Sequence, residues 1–150
     1  MYIVERLTAI LQNMVSDTAC PLESWQYNRL SRANVRLDSK QPSPTALFIQ
    51  IQDFRLDMNT LIKREVSHVS ISFLDKENKI DSEGLEQDAI ITQMADLAVD
   101  FISRVRADRS LRITNDIVNF KSVFYQSDSN RTGVTVELDI EEAQGRCLNN

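Results

Sequence analysis

Few residues in this chain are of the types that do covalent or metal chemistry. His68 is the only histidine, and it alternates with Ser70 and Ser72 along SHVSISFL, on the wetter side of a strand pattern. An imidazole there reads as a surface or structural side chain. A general base would need a nucleophile beside it, and no serine stands in the glycine context of a strained nucleophile turn. Cys20 and Cys147 are too few for a disulfide framework and are expected as free, partly buried thiols. No HExxH, CxxC or paired-histidine spacing occurs, so transition-metal chemistry is not expected. Gly84, Gly133 and Gly145 are the only glycines, which excludes glycine-rich phosphate loops and dinucleotide fingerprints. The reading is therefore of a protein that is not an enzyme, with no catalytic, metal or cofactor-binding residue and no cofactor.

Carboxylates and arginines carry more information. Asp53 with Asp57, and Asp128 near Asn130, form acidic pairs, but neither fits a calcium loop, which needs glycine at its sixth position. Glu137, Asp139 and Glu141 form a row on one face of a strand. That row is either a solvated face or a charged interface, for which a channel wall that repels DNA is the sharper version. Arg29, Arg32, Arg36, Lys40, Arg55, Lys63 and Arg64 outnumber Asp38, Asp53 and Asp57 in the middle of the first half, whereas Asp75 to Asp100 and the last strand are acidic. A chain with one basic edge and one acidic face can pair head-to-tail with copies of itself, and such contacts close into rings when the rotation permits. Twelve of the seventeen basic residues are arginine, which makes the forked carboxylate contacts that interfaces favour. A simple solvated surface is the plain alternative. Contact with nucleic-acid phosphates has no aromatic-interleaved basic stripe to support it.

The elements that position these residues follow from periodicity. At 150 residues, 42% hydrophobic and 26% charged, the chain is expected to fold as one α/β domain, and its net charge of −5 argues against a surface that grips nucleic acid throughout. No apolar run approaches a membrane span, and Glu5 and Arg6 interrupt the opening stretch, so it does not read as a signal peptide. Ile3, Leu7, Ile10, Leu11 and Met14 form a helical stripe that Asp17, Thr18 and Pro21 close. Ser24 to Leu37 is ambiguous between strands and loop, and Gln41-Pro42-Ser43-Pro44 is a stiff break. Ala46–Gln52 and Ser67–Leu74 alternate as half-buried strands, joined through Asp53–Val66 as an extended antiparallel hairpin with a turn-like Asp57–Thr60 cluster. A long helix is predicted from about Ser82 to Asp108. Ser82 or Asp81 caps it, and Ile91, Met94, Ala95, Ala98, Phe101, Ile102 and Val105 form its apolar face. Asp116–Tyr125 reads as a mixed strand, and Gly133–Glu141 alternates without fault. The sum is an α+β fold: a mainly antiparallel sheet of about four to five strands, with an N-terminal and a long central helix packed on one face.

This order of elements resembles the small ring proteins of tailed bacteriophages: tail terminator, tail completion and head–tail connector (neck) proteins. The opening helix MYIVERLTAILQNMV, the segment QPSPTALFIQIQDF, the long helix IITQMADLAVDFISRV and the closing DSNRTGVTVELDIEEAQGRCL carry the resemblance. It implies a structural virion protein, assembled in the host cytoplasm as a homo-oligomeric ring around a DNA channel. Its partners would be copies of itself and adjacent portal, neck or tail proteins, with DNA in transient passage and no membrane. Under that reading Arg32, Arg36, Arg55, Asp57, Lys63 and Arg64 are candidates for subunit contacts, and Glu137, Asp139 and Glu141 for facing the channel. The alternative is a small intracellular adaptor or binding module without catalysis.

Overall fold

The structure is a computed structural model that describes residues 2–27, 42–58, 61–77, 84–125 and 130–147. Among the described residues it is α+β, with two helices and a mixed seven-stranded sheet. In chain order the elements are α1 (Tyr2–Ser16), β1 (Ser24–Tyr27), β2 (Thr45–Met58), β3 (Ile62–Lys76), α2 (Gly84–Ala107), β4 (Leu111–Ile113), β5 (Phe120–Tyr125), β6 (Arg131–Glu142) and β7 (Arg146–Cys147). The sheet runs β1-β2-β3-β6, and β4 and β5 share the far edge of β6. After a kink at 143–145, β7 carries the line of β6 onward against Ile62 and Lys63.

Four expectations need correction. The sheet has seven strands rather than four to five, because β1, β4 and β7 are two to four residues long, too short for alternation to register. β1 pairs with β2 in parallel, so the sheet is mixed. The residues between Tyr27 and Thr45 supply the dozen or more that a parallel crossover requires. The β2–β3 connection is also far shorter than Asp53–Val66: Phe54, Leu56 and Met58 alternate with Arg55 and Asp57, and the ladder continues to Met58↔Lys63. The strand expected over Asp116–Tyr125 begins only at Phe120. The proposed caps Asp81 and Ser82 lie outside the described residues.

Alternation assigns the two faces of the sheet. Val69, Ile71 and Phe73 of β3 and Val134, Val136, Leu138 and Ile140 of β6 point to the helix side and are fully or almost fully buried. They meet Ile3, Leu7, Leu11 and Met14 of α1 and Met94, Leu97, Ala98, Phe101 and Val105 of α2. The helix stripe therefore includes Ile90 and Leu97, with Ile91 and Ala95 only on its margin. Phe73 and Phe101 are tilted against each other at 5.7 Å between ring centroids.

Polar ties fix the helices. Residues 1–4 offer α1 no capping side chain, and its first turn is satisfied from the sheet. Buried Glu65 accepts the Ile3 N–H at 3.2 Å, and Glu142 accepts the Glu65 N–H at 3.0 Å. Arg104 joins Asp100 within α2 (3.1 Å) to Asp17 at the end of α1 (2.8 Å). Arg6 reaches Asp108, beyond the end of α2, at 2.6 Å. The Trp25 indole donates to Gln12, docking β1 on α1.

Candidate functional site

Two surfaces gather the residues picked out in the sequence. The first is the end of the β2–β3 hairpin, an arm that extends past the helix-covered core. Opposite strand positions share a face, so Phe54, Leu56 and Met58 stand with Ser67, Glu65 and Lys63 on the helix side, and Arg55 and Asp57 stand with Val66 and Arg64 on the other. Neither α1 nor α2 covers the apolar row: Phe54 is 54% exposed, Leu56 46% and Met58 62%. Leu61 and Ile62 add exposed apolar surface at the turn. Arg55 pairs with Asp57 at 3.2 Å along the strand. Both side chains are largely in water, where such a pair contributes little, about 0–1 kcal/mol, and both charges stay available to a partner. The candidates Arg55, Asp57, Lys63 and Arg64 thus come together on this arm. Arg32 and Arg36 lie outside the described residues.

The second surface is the face of the sheet turned away from the helices. Glu137, Asp139 and Glu141 do share that face, opposite Ser70, His68 and Val66. They are not a free acidic row. Asp139 accepts from His68 Nδ1 at 2.6 Å, and its other oxygen accepts from the Asn115 amide at 3.2 Å. Asn115 in turn accepts the Asp139 N–H, so a loop residue clamps the strand from its edge. Glu137 lies 3.8 Å from His68 Nε2, and its side chain is half exposed. Glu141 is largely covered and is paired with Arg112 of β4. Only Glu137 and Asp139 therefore present carboxylate surface to solvent.

His68, set aside in the sequence, is the hub of this face. A cleft of about 530 Å³ opens beside it toward Phe54, Arg55, Val66, Thr114 and Asp139, and a smaller one of about 160 Å³ toward Asn119, Lys121 and Glu137. Its carboxylate partner orients the ring as in a catalytic pair. No hydroxyl or thiol nucleophile is hydrogen-bonded to its free edge among the bonds described for this face. Register with Asp139 and Glu137 was the signal for the cluster, and it is invisible until β3 and β6 are paired. Among the described residues no group of three or more His, Cys, Asp and Glu is placed to hold a metal ion.

Farther along the same face, fully buried Arg131 donates to the Ser43 hydroxyl at 2.8 Å, and Ser72 and Thr135 share a hydrogen bond of 2.5 Å. Cys20 is a free thiol 3.6 Å from Asp100, and burial pushes its pKa up, away from thiolate reactivity. No helix is long and apolar enough to cross a membrane among the described residues.

A scan against protein-family models finds no match, and a search of the curated proteins finds no significant relative.

Proposed function

We propose that this chain is a structural protein of a tailed-phage virion. Copies of it form a ring around the DNA channel, in the head–tail connector or at the end of the tail. The observation that carries the reading is the arm. It is an antiparallel hairpin end whose apolar row stays largely exposed, with no covering element among the described residues, and the core closes without it. Exposed apolar rows rimmed by charge mark protein–protein contacts. The two-signed charge distribution supports assembly from identical copies, since one surface can meet the other on the next subunit. Glu137 and Asp139 are the residues offered to the channel, where negative charge keeps DNA from adhering. Glu141 serves Arg112 instead.

The test is native mass spectrometry over a concentration series, with negative-stain images of the same samples. Closed rings, commonly six or twelve copies in the resembling proteins, are the expected result. Arg55→Glu combined with Arg64→Glu should abolish them with the circular dichroism spectrum unchanged. A monomer at every concentration would overturn the reading, and rings indifferent to the charge reversal would remove Arg55 and Arg64 from the subunit contact. A monomer whose arm captures a different protein would favour the adaptor.

A further inference from the structure

Resting on that reading, the structure also indicates where on the next copy the arm is received. A receiving surface needs an uncovered apolar row of matching length and charge opposite to the arm's. It must also lie far enough from the arm that one copy can use both at once. The edge formed by β5 and α2 meets all three conditions.

Phe120 and Phe124 pair with Val136 and Thr132, which places them on the helix side of the sheet, yet they are 41% and 56% exposed. They flank Ser122. Four residues of strand separate them, about 13 Å at roughly 3.3 Å per residue, the same span that separates Phe54 from Met58. Leu56, midway along the arm, then falls over the small Ser122. The outer edge of β5 has no partner strand among the described residues.

Charge agrees. Between Gly84 and Ser103, α2 carries Glu86, Asp88, Asp96 and Asp100 and no lysine or arginine. Its first turns lie over the start of β6, because Gln87 bonds to Glu77 and Glu77 bonds to Thr132, the residue opposite Phe124. Asp100 and Arg104 face α1, where they meet Cys20 and Asp17. Asp88 lies roughly 120–160° around the helix from them, on the flank toward β5. On the arm, Lys63 stands opposite Met58 and so shares the side of the apolar row.

We propose that the arm of one copy lies in the trough between β5 and α2 of the next, with Phe54, Leu56 and Met58 on Phe120 and Phe124 and with Lys63 against Asp88. Arm and trough belong to opposite halves of the sheet, β2–β3 and β6–β5, so the contact is head-to-tail and repeats around a closed ring.

The experiment uses two surface variants of the full chain, Leu56→Asp on the arm and Phe124→Asp in the trough, each checked for wild-type thermal unfolding. Each alone should be monomeric at concentrations where the wild type forms rings. Their equimolar mixture should give a heterodimer and nothing larger, since it holds one intact arm and one intact trough. Phe124→Asp rings like those of the wild type would overturn the trough while leaving the ring reading standing. A mixture that stays monomeric would overturn head-to-tail pairing. A wild type that never assembles would remove both readings. Should either aspartate variant fail to fold, Lys63→Glu and Asp88→Lys replace them. Each should lose rings and the double variant regain them, and failure of the double variant to regain them would overturn the pairing.

Discussion

Gly133 sits where β6 is held on both edges, opposite Leu74 of β3 and Val123 of β5. A methyl group there would lie 1.8 Å from the Phe73 carbonyl oxygen, 2.8 Å from its carbon and 3.0 Å from the Leu74 Cα. All three are backbone atoms of the neighbouring strand, so no rotamer change relieves the clash. Ordinary contact begins near 3.4 Å, so β3 and β6 must separate locally by about 1.6 Å, enough to take adjacent ladder bonds beyond hydrogen-bonding distance. One or two lost bonds at about 1 kcal/mol each, with an overpacking cost of about 1–3 kcal/mol, put Gly133→Ala at about 2–5 kcal/mol. In a protein of this size that lowers Tm by roughly 5–20 °C. Gly145→Ala is the internal control. There a methyl would meet the Ile62 Cγ2 branch at 2.1 Å and the Lys63 carbonyl oxygen at 2.9 Å, so the backbone must give by only about 0.5 Å and the expected cost is about 1–2 kcal/mol. Urea titrations followed by circular dichroism measure both. A Gly133→Ala protein within about 1 kcal/mol of wild type, or no worse than Gly145→Ala, would refute the close approach of β3 and β6 that the argument rests on.

Three further outcomes are expected. At Asp108 burial opposes the charge, but the Ser110 hydroxyl and N–H and the Arg6 guanidinium outweigh it and hold the carboxyl below its ordinary 3.8. Its stabilisation is then complete above that value and lost as pH falls through the folded one, so Asp108→Asn should cost about 1 kcal/mol at neutral pH and nothing in strong acid, by urea midpoints across pH. Asp75 behaves oppositely. Burial raises its pKa despite the Lys76 N–H bond, so its ionised form is disfavoured on folding, and Asp75→Asn should be more stable than wild type at neutral pH, the gain fading as pH falls through the raised folded pKa and absent below 3.8. Glu65→Ala strands the Ile3 N–H at the buried start of α1 and should cost about 1–3 kcal/mol, while Glu65→Gln keeps an acceptor and should cost under about 1, with amide exchange at Ile3 and Val4 rising in the alanine variant alone.

Periodicity made most of the scaffold legible. The α1 stripe, the alternation of β3 and β6 and the length of α2 are long repeats, and each emerged close to where the pattern put it. What escaped was short or relational. β4 and β7 are held by register with β6 and β3, not by any pattern of their own. The carboxylate row was legible as a row, because alternation fixes a face, but alternation does not say what stands opposite. His68, Asn115 and Arg112 come from elsewhere in the chain and absorb much of its charge. Glu65 left a trace that could have been followed: a helix whose first turn lacks a capping side chain needs an acceptor from somewhere else.

The arm shows a different limit. Its alternation of Phe54, Leu56 and Met58 with Arg55 and Asp57 is the pattern of a half-buried strand, and it runs beside and past Glu65, where the first turn of α1 meets β3, with the row itself left exposed. A period of two states that one face prefers to leave water. It cannot state which surface receives it, and none of the described residues does. Extending two strands past the core costs conformational entropy on every added residue and leaves apolar surface wet. Neither cost is repaid by the described residues, whose core is complete from Val69 to Phe73 without the arm. The same holds for Phe120 and Phe124 at the other edge of the sheet. Two uncovered rows of equal span on one sheet face, one on a basic arm and one beside an acidic helix, each supply what the other lacks. In the proposed head-to-tail contact each copy covers one row of its neighbour, and a closed ring covers both rows on every copy.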